Sequence, residues 1–117
     1  MMKLKNFCFW SILCLLFFSC KDNEQLQLPK NVLSEEKYVK ILIQEHILEG
    51  YINTQIKNVD SAMALYTQEH LKLLQKFNIQ SVNYDSTVTF YARNPKALQS
   101  VYAKVTDSLT VLETKLK

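Results

Sequence analysis

Residues that break helices and form turns are scarce over residues 34–117, which contain one glycine, Gly50, and one proline, Pro95. Folds built from many short strands need turns, and turns depend on glycine, proline and similar residues. A helix needs fewer such breaks, because most of its backbone groups bond within the helix itself. The sequence therefore predicts an all-α domain, a small bundle of about four helices.

Helix-start signals divide this domain into four segments. Ser34 is a good N-cap, and Glu35 and Glu36 place negative charge in the first turn, where it complements the helix dipole. At the start of the last segment, proline follows a capping asparagine and occupies the first helical position. We expect the first helix from Ser34 to about Asn53 or Ile56, the second from Asp60 or Ser61 to about Phe77, the third from Ser81 to near Arg93, and the fourth from Asn94-Pro95 almost to the C-terminus.

Apolar residues three or four positions apart define the expected buried face of each helix. The fourth helix has the clearest stripe: Leu98, Val101, Val105, Leu109, Leu112 and Leu116. The second has Met63, Tyr66, Leu73, Leu74 and Phe77, and the third has Tyr84, Val88 and Tyr91. The threonines of the third segment also leave strand pairing possible there. The first helix is apolar on most sides, which predicts a central position.

Two residues stand out from this pattern. Gly50 inside a helix costs about 1 kcal/mol relative to alanine, and the usual reason to keep it is close approach of another helix, which we expect here. Phe90 lies away from the stripe of the third helix, next to polar residues. An exposed Phe90 would mark a contact surface.

The N-terminus has the pattern of a secretory signal. Lys3 and Lys5 precede an apolar run that ends at Ser19, and charged residues follow Cys20 at once. As a helix, residues 7–19 would rise roughly 20 Å, which is short of a hydrocarbon core of about 30 Å. No Ala-x-Ala ending precedes the charged stretch.

The segment Phe17-Phe18-Ser19-Cys20 resembles the lipobox of bacterial lipoproteins, in which the cysteine is acylated and becomes the first mature residue. This predicts a signal peptide at 1–19, a palmitate-type lipid on Cys20, a polar tether over 20–33 and the helical domain at 34–117. Several acyl chains hold a protein on a membrane, since each buried methylene contributes about 0.8 kcal/mol. A plain secreted protein and a retained membrane anchor are the alternatives.

Residues 21–24, with the sequence KDNE, resemble the Lys-plus-acidic stretch that directs some Bacteroidota lipoproteins to the cell surface, although Asn23 interrupts the acids. An ordinary solvated linker is the alternative. We expect a location in the cell envelope, anchored by lipid to a membrane, the outer membrane in either leaflet.

Loss of residues 1–19 changes the charge of the chain. The formal charge of +3 falls to +1 because Lys3 and Lys5 are removed, and no basic cluster remains. This argues against nucleic acid as a partner, since phosphate binding needs concentrated positive charge. Cys8 and Cys14 leave as well, so the mature domain is expected to have no free thiol, disulfide or thiolate metal site.

Four polar residues fall on or beside apolar faces. On a helical wheel Glu45 and Glu49 lie inside the apolar face of the first helix, and His46 lies at its flank. His70 lies in the middle of the second stripe. A carboxylate taken out of water costs several kcal/mol unless it is paired, so these side chains need partners or a wet cavity.

Three interpretations of these residues stay open. They could converge on a metal or acid–base site, but di-metal bundles repeat Glu-x-x-His over several helices, and here the first helix has the reverse order, His46-x-x-Glu49. They could pair structurally, with Glu49 and the histidines bonded to tyrosine hydroxyls or Arg93. They could also line a polar groove that binds a ligand. Structural pairing is favoured, so we assign no catalytic residue, no metal and no cofactor except the lipid on Cys20.

Four strings carry a resemblance to a family. They are LSEEK at 33–37, ILIQEHILEGY at 41–51, DSAMALY at 60–66 and YDSTVTFYARNP at 84–95. They resemble the small Bacteroidota lipoproteins catalogued as domain of unknown function 4296, over most of residues 31–112. The resemblance implies a helical envelope lipoprotein with His46 and Glu49 on motif positions. It implies no activity, because none is established for the family.

These observations lead to an expected function. It is a membrane-anchored envelope lipoprotein, a non-catalytic binding or scaffolding module whose partners are the membrane, through its lipid, and an unidentified envelope protein. The alternative is a small envelope enzyme or metal-binding protein that uses the inward-facing Glu and His residues. A carrier for an apolar ligand between the helices is a third possibility.

Overall fold

The computed structural model describes residues 26–117, which form four helices: α1 (Glu35–Gln55), α2 (Val59–Lys76), α3 (Ser81–Ala92) and α4 (Pro95–Leu116). These residues contain no strand, so the all-α prediction is confirmed and the strand alternative for the third segment is wrong. The expected signal peptide, the lipidated Cys20 and the first part of the tether lie outside the described residues. Within residues 26–117, no helix has the length and apolar character needed to cross a membrane.

Three helix starts match the expected positions, whereas α2 begins at Val59, because Asn58 caps it and not Asp60 or Ser61 as expected. The Ser34 hydroxyl caps α1 by accepting the backbone N–H of Lys37 at 3.3 Å. The Asn58 side chain caps α2 by accepting the N–H of Ser61 at 3.0 Å. Asn94 precedes α4 as expected, but its side-chain amide donates to the carbonyl of Phe90 at 2.7 Å. Asn94 therefore closes the end of α3 and does not cap α4 with its side chain.

The central helix is α1, as its apolar surface predicts. It separates two clusters of buried side chains. One cluster joins α1 to α3 and α4 and consists of Tyr38, Val39, Leu42, Tyr91, Val101 and Val105. The other joins α1 to the C-terminal end of α2 and consists of Ile41, Leu74 and Ile79.

The buried face of α3 differs from the predicted stripe. Thr87 and Tyr91 are buried, whereas Val88 is 41% exposed. Thr87 can be buried because its hydroxyl donates to the carbonyl of Asn83 at 2.7 Å and accepts the N–H of Leu33 at 2.9 Å. The buried face therefore follows the hydrogen bonds of a threonine and not the more apolar valine beside it.

Four other residues depart from their predicted exposure, and one of them is Leu112 of the α4 stripe, which is 38% exposed. Met63, expected on the buried face of α2, is 65% exposed. Phe90, proposed as an exposed contact residue, is partly buried and packs against the core. Leu116 continues the stripe of α4 but is 88% exposed, because the helix extends beyond the core.

Residues 31–33, which composition assigned to the tether, are part of the folded domain. Val32 and Leu33 pack against the core cluster. The Asn31 side chain donates to the hydroxyl of Ser86 at 3.0 Å, and the Leu33 N–H donates to Thr87. The folded unit therefore begins before α1, with a short segment attached to α3.

Gly50 lies in open space, so the predicted close approach of another helix is wrong. A Cβ atom added there would meet no described atom within 4 Å. We expect Gly50→Ala to raise the unfolding free energy by about 0.5–1 kcal/mol, because alanine restricts the unfolded chain and fits the folded helix.

Urea unfolding followed by circular dichroism measures this difference. The control is Ala64→Gly, an exposed position of α2, which is expected to lose a similar amount. A Gly50→Ala variant no more stable than the wild type would contradict the open environment of this glycine.

Candidate functional site

A buried carboxylate joins three helices. Glu45 of α1 is 5% exposed, and its Oε2 accepts a hydrogen bond from the Tyr84 hydroxyl of α3 at 2.8 Å. Its Oε1 lies 2.8 Å from Nδ1 of His70 on α2. This second approach is short but lacks the geometry of a linear hydrogen bond, and neither atom has another bonded partner among the described residues. We call Glu45, His70 and Tyr84 the polar cluster.

Aromatic rings surround the polar cluster. The His70 ring stacks on Tyr66, one turn earlier in α2, with centroids 5.8 Å apart. Its other neighbour is Tyr84, whose ring lies 4.9 Å away at 70°. Tyr84 also meets the edge of Tyr38 at 6.5 Å. These rings exclude water from the carboxylate and hold the imidazole in place.

Burial changes the proton affinity of these groups. Loss of water around Glu45 raises its pKa above the ordinary value, although the Tyr84 hydrogen bond and the nearby His70 act in the opposite direction. Burial also raises the pKa of Tyr66 to about 12. Burial and the bond to Glu45 raise the pKa of Tyr84, so its hydroxyl keeps its proton and remains the donor near neutral pH.

His46 and Glu49 lie apart from the polar cluster. His46 Nδ1 and Glu49 Oε2 are 3.5 Å apart, and their side chains are 40% and 50% exposed. Of the four residues identified in the sequence, the structure thus brings together Glu45 with His70, and separately His46 with Glu49. Glu49 is not inside the apolar face as the helical wheel suggested. Arg93, considered as a partner, lies at the end of α3 and bonds to none of the four in the described structure.

Tyr84 is the cluster member that the sequence analysis did not single out. Apolar spacing predicts Tyr84 only as a packing residue of the α3 stripe. A tyrosine on a buried face needs a hydrogen-bond partner for its hydroxyl, and a buried carboxylate needs a donor. These two needs together could have indicated that Tyr84 and Glu45 pair. The pairing itself depends on which helices are neighbours, which periodicity does not show.

An apolar groove, which we call the α1–α2 groove, lies beside the polar cluster. It has a volume of about 390 Å³ and is lined by Glu49, Ile52, Asn53, Ile56, Lys57, Val59, Ala62, Met63, Tyr66 and Thr67. Val59 and Met63 are 69% and 65% exposed at its rim. Tyr66 lines the α1–α2 groove and also stacks on His70, so its ring lies between the groove and the polar cluster.

The arrangement of polar groups limits what the site can do chemically. Residues 26–117 contain no group of three or more His, Cys, Asp or Glu side chains close enough to hold a metal ion. Burial raises the pKa of Glu45, and the imidazole of His70 lies 2.8 Å from its Oε1 without the geometry of a linear hydrogen bond. The geometry therefore places a buried carboxylate beside an imidazole, next to an apolar groove.

The raised pKa of Glu45 predicts a pH dependence of stability. We expect the unfolding free energy of the wild type, relative to Glu45→Gln, to fall as pH rises above about 4, the ordinary pKa of an unfolded glutamate. The folded protein binds this proton more tightly than the unfolded chain does, so the contribution is complete below the unfolded pKa and is lost through the folded pKa.

Urea unfolding of both proteins at a series of pH values measures this difference. Glu49→Gln is the control, because it removes a half-exposed carboxylate one turn away on the same helix. A wild type that gained stability relative to Glu45→Gln with rising pH would contradict the assigned direction.

Comparison with known proteins places the chain in a family. The family model described as Domain of unknown function (DUF4296) matches residues 29–115. No curated protein and no solved structure matches the chain. The matched region contains the polar cluster, the α1–α2 groove and the segment attached to α3. Because the match covers most of its length, this chain belongs to the DUF4296 family of domains of unknown function.

Proposed function

We propose that this chain is a lipid-anchored module of the bacterial cell envelope, in a Bacteroidota-type lipoprotein, and that it binds or scaffolds another envelope protein. The lipobox-like segment ending at Cys20 supports the anchor. The charged residues that follow it support a location on the outer membrane, in either leaflet. Besides the covalent lipid, the proposal includes no cofactor and no nucleic acid.

One structural contrast carries the binding role. In the polar cluster, both oxygens of Glu45 face groups of the same domain, Tyr84 and His70. At the neighbouring α1–α2 groove, Val59 and Met63 expose most of their apolar surface. The Glu45 carboxylate thus connects α1 to α2 and α3, whereas the α1–α2 groove exposes apolar surface that a partner can cover.

The anchor is tested by intact-mass measurement of the purified protein. We expect a chain that begins at Cys20 and carries acyl groups, and we expect Cys20→Ala to move the protein from the membrane fraction to the soluble fraction. A product that retains residues 1–19, or an unmodified thiol at position 20, would overturn the lipoprotein assignment.

The binding role is tested by photocrosslinking in cells that produce the protein naturally. A photoreactive residue at Met63 is expected to give one discrete protein adduct. The matched control is the same residue at Tyr102, an exposed aromatic of α4 that is 45% exposed. An adduct pattern that is the same from both positions would argue against a specific role for the α1–α2 groove.

A second candidate function is an enzyme or metal-binding protein that uses the inward-facing Glu45 and His70. The observation in its favour is the raised pKa of a carboxylate beside an imidazole, which is common at acid–base sites. Metal analysis of the purified protein distinguishes the two functions. Stoichiometric metal that is present in the wild type and lost in Glu45→Gln would support the second, whereas a loss of stability without bound metal supports structural pairing.

A further inference from the structure

We propose that the junction of α3 and α4 faces the membrane and that Arg93 and Lys30 bind phospholipid headgroups there. This proposal rests on the lipid anchor proposed above. It adds an orientation for the domain and assigns a surface to the bilayer itself.

The first argument is the length of chain between the anchor and the domain. Leu26 lies at the junction, where it lines a cavity of about 720 Å³ together with Glu35, Arg93, Asn94, Pro95, Lys96 and Ala97. Leu26 is six positions after Cys20 in the chain, and this stretch spans at most about 20 Å even when fully extended. An acylated Cys20 therefore keeps the junction within this distance of the bilayer.

The other end of the molecule lies much farther from the anchor. Glu35, at the start of α1, lines the same cavity as Leu26, whereas the turn around Asn58 follows the far end of this 21-residue helix. A helix of this length spans about 30 Å. The α1–α2 turn therefore lies about 30 Å from the junction along α1, and in the proposed orientation it points away from the bilayer, with the α1–α2 groove near the outer end.

The second argument is the charge at the junction. Arg93 is exposed and makes no ion pair with residues 26–117. Lys30 is also exposed, and its neighbours in the chain, Pro29 and Asn31, share a cavity with Arg93. Arginine binds phosphate oxygens through two parallel hydrogen bonds, and cationic side chains next to a membrane are attracted to its anionic surface.

The acidic residues near the junction are largely engaged. Glu35 Oε1 accepts from Lys104 Nζ at 2.8 Å and from the Ser100 hydroxyl at 2.7 Å. Glu36 pairs with Lys40 at 3.1 Å. Among residues 26–117, Asp85, on the wall of the cavity that Arg93 also lines, is the remaining acid on this side.

Charge is more evenly balanced at the opposite end of the domain. Lys57, beside the α1–α2 turn, is accompanied by Asp60 in the first turn of α2 and by Glu49 across the groove. The cationic end is therefore the one that the tether holds near the lipid. Leu26 and Leu28, 43% and 39% exposed, add apolar side chains to that end.

The experiment uses the full-length acylated protein in vesicles of phosphatidylethanolamine and phosphatidylglycerol. The mature chain has no cysteine after position 20, so Ala92→Cys and Gln55→Cys each give one labelling site, at the junction and at the end of α1. Energy transfer from the fluorophore to a headgroup-labelled lipid reports its distance from the bilayer. We expect strong transfer from position 92 and weak transfer from position 55.

The headgroup contact is tested with Arg93→Gln in both labelled proteins. We expect the ratio of docked to undocked protein to fall by about fivefold, the effect of one cation at an anionic surface, and raised salt to reduce docking of the unmodified protein. Lys57→Gln is the matched control and is expected to leave the ratio unchanged.

Each result decides the proposal. Equal transfer from positions 92 and 55, or equal effects of Arg93→Gln and Lys57→Gln, would overturn it while leaving the lipid anchor intact. Intact mass measured on the same samples separates the two claims, because a protein without acyl groups would overturn the anchor and this orientation together.

Discussion

Replacement of Ile41 with alanine is expected to lower the unfolding free energy by about 2–5 kcal/mol. Ile41 is fully buried and packs against Leu74 and Ile79, at the contact of α1 with the C-terminal end of α2. The loss combines the transfer free energy of the removed carbons with the cost of the cavity that remains. Since small domains are typically stable by only about 5–15 kcal/mol, this one change removes a large share of the total.

Ile47→Ala is the matched control for this prediction. It makes the same chemical change in the same helix, but Ile47 is 46% exposed and its loss is expected to cost much less. Urea unfolding of the two variants gives both values. Similar losses for Ile41→Ala and Ile47→Ala would contradict the position of the second core cluster.

Tyr84→Phe is expected to lower the unfolding free energy by about 1–3 kcal/mol. The change removes one hydroxyl and leaves the ring in place. The Oε2 atom of Glu45 then loses the donor at 2.8 Å while the carboxylate remains buried. The cost comes from this unsatisfied acceptor, because water has little access to replace the hydroxyl.

Two further variants separate this bond from general effects of losing a hydroxyl. Tyr51→Phe, at a residue that is 61% exposed, is expected to change stability by less than about 0.5 kcal/mol. In the Glu45→Gln background, the cost of Tyr84→Phe should differ from its cost in the wild type, because the two side chains are in contact. Because the glutamine amide oxygen can still accept from Tyr84, additive effects of Glu45→Gln and Tyr84→Phe would show that the carboxylate is no better an acceptor here than an amide.

The helical architecture could be predicted because its signals are local. A serine followed by two glutamates marks the start of α1, and an Asn-Pro pair marks the start of α4. These signals act through hydrogen bonds and backbone angles within a few residues. For the same reason they do not show which helices are neighbours or how far each contact extends.

The buried face of α3 shows where periodicity is insufficient. Positions 84, 87 and 91 fit a helical face as well as positions 84, 88 and 91 do, and hydrophobicity alone favours Val88 over Thr87. The choice depends on Leu33, whose N–H needs an acceptor at this place. That contact joins residues 54 positions apart, which a local pattern does not contain.

The candidate site was predictable in part. The wheel placed Glu45 and His70 inward, and the structure pairs them at 2.8 Å. The same wheel placed Glu49 inward, but this side chain lies at the edge of the α1–α2 groove. A helical wheel shows in which direction around the helix axis a side chain points. Burial also depends on whether a neighbouring helix lies next to that turn of the helix.

The attachment of residues 31–33 to α3 determines how the domain carries mechanical load. A force applied at Leu26 along the chain reaches two hydrogen bonds to α3 before it reaches α1: one from the Asn31 side chain to Ser86, and one from the Leu33 backbone N–H to Thr87. A pull from the N-terminal side would therefore strain α3 at the middle of its length and spare the start of the central helix. Tension in the tether is therefore transmitted to α3 before it reaches the start of α1.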